Sequence, residues 1–461
     1  MAKKEKKNMK KLWEKNGSQN ITAENYCFSR NTELDNNLIF QDALGSIAHA
    51  QMLSEIGILT HDEFVKLKKC LLEIIQLAKS SKFSVEKNDE DVHTKIEQYL
   101  TEKLGESGKK IHTGRSRNDQ ILLDLRLYTK EKLLKIATQT LCIIDTFINF
   151  AQKYEFVPMP GYTHMQKAMP SSVGMWGSSF AESLIDDLFF LKTAYEINDQ
   201  SPLGSGAAYG VTLPIDRELT AKLLGFAKVQ NNSLYAQVSR GKSHLIVAQA
   251  LSQIMLTFSR FAQDILLFST QEFDFFKIDS SFCTGSSIMP QKKNLDLAEM
   301  IRARSFAVLS YSQMIATIIS SLPSGYNADF GETKFPLMES INITLSTIDV
   351  LNIFIPIIKP NEKKLIDACT PEIYATHQAY ILVKQGMPFR NAYKQVGQSL
   401  NQLKNFDPKK MLRISKHVGG TGNLGISNLK KIYVKNLNWW KLKQYKFTVA
   451  ISELMKGQLY E

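Results

Sequence analysis

Three short strings hold most of the groups that could do chemistry in this 461-residue chain. The first is His112-Thr113-Gly114-Arg115-Ser116-Arg117-Asn118-Asp119-Gln120, with two arginines two apart and then Asn and Asp at the expected N-cap of a helix. Guanidinium forks beside free backbone N–H groups suit a carboxylate or a phosphate. The same residues also suit a capped helix start with solvated arginines. The second string is Pro160-Gly161-Tyr162-Thr163-His164-Met165-Gln166-Lys167-Ala168-Met169-Pro170. Two prolines fence a non-helical link, and His164 supplies an imidazole that can give or take a proton near neutrality, although a loop histidine is more often structural. The third is Thr284-Gly285-Ser286-Ser287-Ile288-Met289-Pro290-Gln291-Lys292-Lys293-Asn294. It offers paired hydroxyls, two cations, and Asn294 as an N-cap that would aim the positive end of the next helix at the loop. A serine there could serve as nucleophile or base; a polar surface loop is the bland alternative.

These strings fall between segments that read as helices. Proline is absent from residues 1–157 and 215–289, and proline costs ~3 kcal/mol inside a helix. Five apolar-periodic segments are too long for strands: Gln120–Phe156, Ser171–Asn198, Ser239–Thr270, Leu295–Leu322 and Leu337–Ile355. At ~1.5 Å per residue they are rods of roughly 30–55 Å. Several are apolar on more than one face, which places them inside a bundle or between the bundles of an oligomer. The expected organisation is an N-terminal helical domain over 1–110, a central long-helix bundle over 111–359 and a C-terminal helical domain over 360–461.

Composition narrows the class. With 44% hydrophobic and 22% charged residues the chain is ordinary globular material, neither collagen-like, disordered nor disulfide-framed. Five scattered cysteines without a C-x-x-C pair argue for a reducing compartment, and the expected location is cytoplasmic. No run of about 18 uninterrupted apolar residues occurs, and the lysine-rich start leads into polar residues rather than an apolar signal. A net charge of +12 raises nucleic acid as a partner, but 11 arginines against 46 lysines, spread along the chain, read as a solvated surface. Neither nucleic acid nor membrane is therefore expected as a partner. There is no P-loop, H-E-x-x-H or G-x-S-x-G, and Gly204–Gly210 misses the dinucleotide spacing, so an enzyme without cofactor or metal is favoured.

The three strings, in this order between long helices, resemble the signatures of the fumarase/aspartase lyase superfamily. Gly285–Asn294 matches its G-S-S-x-M-P-x-K-x-N string, and His112–Gln120 narrows the likeness to the argininosuccinate lyases. Pro160–Gln166, Pro202–Ala207 and Gly386–Arg390 point the same way, and the likeness runs from about Lys11 to Leu424. It implies an all-α, three-domain fold with a central bundle of long helices. The implied activity is cofactor-free anti elimination of argininosuccinate to arginine and fumarate, in arginine biosynthesis. By that resemblance Ser286 is the base, Lys292 stabilises the carbanion, and His164, oriented by Glu299, is the acid or polarises a water. Asn118, Thr163, Tyr326 and Lys334 map onto substrate-binding positions, Arg117 and Arg240 onto carboxylate contacts, and His93 onto a further family histidine. The family assembles as a homotetramer whose sites are built from three subunits.

The chain departs from the pattern in places. Asn31 stands where a serine often binds substrate, Gly331 where a glutamine commonly does, and Leu295 where a proline usually opens the helix. The family's W-G-G-R-F opening is reduced to Trp13-Glu14-Lys15. These drifted positions leave room for a related lyase with another fumarate-yielding substrate. A non-catalytic structural protein on the same fold is the alternative from a different class, and the intact Ser286, His164, Lys292 and Glu299 speak against it.

Overall fold

The computed structural model describes residues 22, 26, 33–86 and 89–456. Asn31, Trp13 and the lysine-rich start lie outside them. Among the described residues nine long helices carry the fold: α1 (Ile39–Glu55), α2 (His61–Lys79), α3 (Val92–Leu104), α4 (Arg117–Lys153), α5 (Val173–Asn198), α6 (Ser233–Phe268), α7 (Asp296–Ile319), α8 (Lys334–Phe354) and α9 (Ile426–Met455). The fold is mostly helical, as expected, and the five anticipated rods are α4 to α8, each within six residues of its expected ends.

The rods run up and down. At one end of the bundle Arg126 Nη1 donates to the Ile197 carbonyl (2.8 Å) and Asn198 Nδ2 to the Arg126 carbonyl (2.9 Å), joining the start of α4 to the end of α5. At the other end Trp176 Nε1 donates to Asp264 (2.9 Å) and Arg302 to Gln263 (2.6 Å), joining the start of α5 and of α7 to the end of α6. Gly241 on α6 sits so close to Ile319 of α7 that an added Cβ would meet its side chain at 2.3 Å. Among the described residues three helical stretches, Arg117–Lys153, Ser233–Phe268 and Ala328–Ile357, are long and apolar enough to cross a membrane. Here their apolar faces turn inward, with Leu125, Ile136, Leu251, Phe261, Ile341 and Ile348 in one shared core.

The core also holds charge. Lys130 on α4 is buried, with Nζ donating to Asp199 Oδ1 and the Gly225 carbonyl, both at 2.5 Å, and lying 5.1 Å from the ring centres of Phe226 and Phe447. Burial lowers its pKa and Asp199 opposes that. A buried cation survives only with such partners. Phe447 belongs to α9, the segment without a counterpart in the motif reading; α9 lies back along α4 and α5, with Trp439 and Trp440 edge-on to Tyr195 at 5.8 and 5.5 Å. A separate small core of Cys369, Ile373, Tyr374 and Met411 lies between α8 and α9 in sequence.

Candidate active site

The start of α4 is built differently from the expected cap. Ser116, not Asn118 or Asp119, is the N-cap: its backbone N–H donates to Asp119 Oδ1 (2.8 Å) and its hydroxyl accepts from Asn118 N (3.3 Å), a reciprocal capping arrangement. Asp119 is wholly buried, and its second oxygen accepts from the backbone N–H of both Gly204 and Gly206 at 3.0 Å. One carboxylate therefore fixes the helix start and docks the Pro202–Ala207 segment beside it. Burial pushes its pKa up to about 6, against the three N–H donors and Arg115.

Around this helix start lies a cavity of ≈ 330 Å³ that gathers Arg117, Asn118, Arg240, Tyr326, Lys334 and His93. Six of the site residues anticipated from the sequence thus meet at one end of the bundle, although they are scattered over 242 positions of chain from His93 to Lys334. Gly331 lines the same cavity, beside Asp35, Glu90 and Asp91. These three acids were not singled out in the sequence. The Asp91-Val92-His93 adjacency was the available signal for one of them.

The charges are already partly matched. Arg117 forms a two-pronged ion pair with Glu90, donates through Nη2 to Thr94 Oγ1 (2.9 Å) and has Nε 3.5 Å from Asp91. The fork expected to take a ligand carboxylate is thus held by the chain's own acids. Lys334 pairs with Asp35 at 2.5 Å, both buried. Arg240, also buried, hydrogen-bonds the Tyr326 side chain while its Nε meets no acceptor among the described residues. His93 donates from Nδ1 to Asp42 on α1, with Asp124 of α4 at 3.7 Å.

The other candidates sit at the opposite end. The proline-fenced link is a β-hairpin, β1 (Pro158–Thr163) and β2 (Gln166–Ser172), with Thr163 paired to Gln166. His164 and Met165 form its two-residue tip with φ of +52° and +61°, the left-handed pair of a type I′ turn. That conformation is disfavoured for residues with a Cβ and recurs where function demands it. Tyr162 packs on Phe268 and Phe273, and Lys167 Nζ donates to the Ala368 carbonyl (2.8 Å), so the hairpin is seated while His164 and Thr163 stay exposed.

The serine loop projects from the same end. Thr284–Gly285 pairs antiparallel with Lys293–Asn294, which closes the intervening residues into an exposed loop. Asn294 is therefore a strand residue and not the N-cap of α7; that position falls to Leu295, which offers no side-chain cap. Ser286 Oγ accepts from the backbone N–H of Met289 (3.1 Å) and of Ile288 (3.4 Å). Two donors on one oxygen favour its deprotonated form. Lys292, in the same loop, and Glu299, in the first turn of α7, are exposed, and Glu299 does not touch His164 within the chain.

Arg240 and Phe268 are 28 positions apart on α6, roughly 40 Å at 1.5 Å per residue. One chain thus carries a cavity lined by Arg117, Asn118, Arg240 and Lys334 at one end, and the His164 hairpin and Ser286–Lys292 loop at the other.

A family model described as a lyase matches residues 11–310. The chain is 42% identical to the argininosuccinate lyase of Thermotoga neapolitana over 395 residues, covering 86% of this chain and 99% of that one. It is 41% identical to that of Phocaeicola vulgatus over 437 residues, covering 94% and 98%. Among solved structures it is similar to an EDDS lyase in complex with formate (TM-score 0.81, 23% identity, 91% of each chain) and to a class II fumarase from Schistosoma mansoni (TM-score 0.68, 15% identity, 82% and 90%). These last two likenesses are of fold.

Proposed function

This chain belongs to the argininosuccinate lyase family, and on that premise we propose that it cleaves argininosuccinate to arginine and fumarate in a site assembled from several copies of itself. The observation that carries the reading is the division of labour between the two ends of the bundle. A substrate held at the cavity of one chain meets no serine loop of its own. In an antiparallel association the loop and hairpin of other copies reach it. Exposed Phe189 and Phe190 on α5, Met300 and Phe306 on α7, and Ile353 on α8 support burial of these rods against further copies, in a homotetramer.

Elimination needs a proton taken from the carbon next to a carboxylate, stabilisation of the resulting aci-carboxylate, and a proton for the departing guanidine nitrogen. Ser286 is the base, its alkoxide held by the Ile288 and Met289 N–H groups and by Lys292. Lys292 also faces the developing charge on the carboxylate, where one preorganised donor is worth about 10²–10³ in rate. His164, oriented by Glu299, gives the proton to the leaving nitrogen or polarises the water that does. Asn118, Thr163, Tyr326 and Lys334 orient the substrate, and Arg240, with an unspent Nε, takes a carboxylate. Arg117 does so by exchanging Glu90 for substrate. Asn31 joins the same set. No cofactor, metal, nucleic acid or membrane enters the reaction. A cytoplasmic setting belongs to the proposal, supported by the four described cysteines being free thiols.

Fumarate release, followed by ultraviolet absorbance, tests the reading. Argininosuccinate should turn over while adenylosuccinate, aspartate and malate do not. Turnover of another of these substrates would mean that Gly331 and the other drifted positions have re-aimed the site.

A further inference from the structure

The buried polar face of α1 leads beyond the residues used so far. Asp42 and Ser46 lie one turn apart on that helix, both buried where it meets α3 and α4. Ser46 Oγ donates to Asp42 Oδ1 (3.3 Å) and accepts from Arg115 Nη1 (2.9 Å). The other oxygen of Asp42 takes the hydrogen bond from His93 Nδ1, and Asp124 Oδ2 stands 3.7 Å from the same nitrogen. A carboxylate in this position needs a cation. The nearest group able to become one is the imidazole.

We propose that Asp42 is a positioning residue that holds His93 as an imidazolium at the wall of the cavity, and that this cation anchors a carboxylate of the substrate. The proposal rests on the lyase reading above and names the means by which the site grips its anionic ligand. With Nδ1 committed to Asp42, Nε2 is the ring nitrogen left for an occupant of the cavity. The other cations there are largely spent, Arg117 on Glu90 and Asp91 and Lys334 on Asp35. Among the described residues, Arg240 Nε meets no acceptor and the only hydrogen bond of the His93 ring is the one from Nδ1 to Asp42.

The surroundings fix the sign of the charge. The acids near His93 are Asp42 from α1, Asp91 at the N-cap of its own α3, Glu97 on α3, and Asp124 from α4; the opposing cations are Arg115 and, when protonated, His112. Burial alone would lower the His93 pKa, but Asp42 leads the groups that outweigh it, and the value is pushed up to about 10. Burial works to raise the Asp42 pKa, and His93 and Arg115 hold it below its ordinary value. Burial and the neighbouring Asp42 charge raise that of Asp124 well above its own. The cluster is thus built on one carboxylate and one imidazolium, with Asp124 shifted toward its neutral form. An imidazolium locked in this way does not exchange its proton in the working range, so it serves as a fixed charge and not as the acid of the elimination.

Two readouts test this. The first needs no substrate: in protein with ¹⁵N-labelled histidine, the His93 signal should remain that of an imidazolium up to pH 8. In the Asp42→Asn variant it should titrate near the ordinary histidine value of about 6.5. A neutral His93 at pH 8 in the unaltered protein overturns the proposal. The second is the KM for argininosuccinate in the assembled enzyme. In the unaltered protein it should change little between pH 6 and 8. In Asp42→Asn it should be near normal at pH 5.5 and raised about tenfold or more at pH 8, the scale of one charge-assisted hydrogen bond.

A folding defect would raise KM at every pH and would multiply with other changes. The double variant Asp42→Asn/His93→Asn should instead be no worse than His93→Asn alone, because Asp42 acts through the imidazole. A pH-independent KM in Asp42→Asn, or multiplying effects in the double variant, contradicts the proposal. If argininosuccinate is not turned over at all, the lyase reading fails, and the nitrogen signal still decides the charge on His93.

Discussion

If the two ends of the bundle serve different active sites, two inactive variants should rescue each other. Asn118→Leu at the cavity end removes an amide whose side chain has no hydrogen-bond partner among the described residues, so the fold is not at stake. Ser286→Ala at the loop end removes the base. Each variant alone is inactive or nearly so. Mixed one to one, unfolded and reassembled at random, a site draws its cavity and its serine from different chains. The chance that both donors are intact is one half times one half, so about a quarter of full activity should return. Were both groups drawn from one chain, no intact site would ever form. The assay is fumarate release from the mixture, with native mass spectrometry confirming that hybrids have formed. Hybrids without activity above that of the parent variants would refute the claim that cavity and loop come from different copies.

Further expectations follow from single groups. His164→Asn keeps a residue tolerated at φ of +52°, so the melting temperature should be unchanged while kcat falls by about 10²–10⁴. Lys130→Met leaves Asp199 buried without its cation and should cost about 3–5 kcal/mol in denaturant unfolding; adding Asp199→Asn should recover part of it. Glu63, held by Lys110 at 2.7 Å and by the Thr60 N–H at 2.9 Å, has its pKa lowered to about 2. A depressed carboxylate stabilises the fold above its unfolded value of 4.5 and loses that contribution as pH falls toward 2. The stability gap between the unaltered protein and Glu63→Gln should therefore be full at pH 7 and narrow steadily below pH 4.5.

The rods were legible because proline is absent from four of them and falls only in the first turn of α8, at Pro336, and because apolar residues recur on several faces, signals that need no tertiary information. Local capping was less so. Asn294 and Asn118 have good cap chemistry, but strand pairing with Thr284 claims the first, and the Ser116–Asp119 box sets the helix start one residue ahead of the second. The hairpin at His164 was hidden because its tip uses His and Met where glycine or asparagine usually marks a type I′ turn. The division of the site between two ends was implicit in the alternation of five up-and-down rods, which puts successive breaks at opposite ends. What no spacing could reveal is the buried charge. Asp42, Asp124 and Lys130 interrupt apolar runs in the sequence as surface residues do, and only packing shows that His93 and Asp199 stand opposite them.

The most direct test of the shared site is the structure of the assembled Ser286→Ala protein with argininosuccinate bound. The account predicts substrate between Asn118, Arg240 and Lys334 of one copy and the His164 hairpin and Lys292 loop of others. Substrate held wholly by the groups of one copy, or lodged away from that junction, would contradict it.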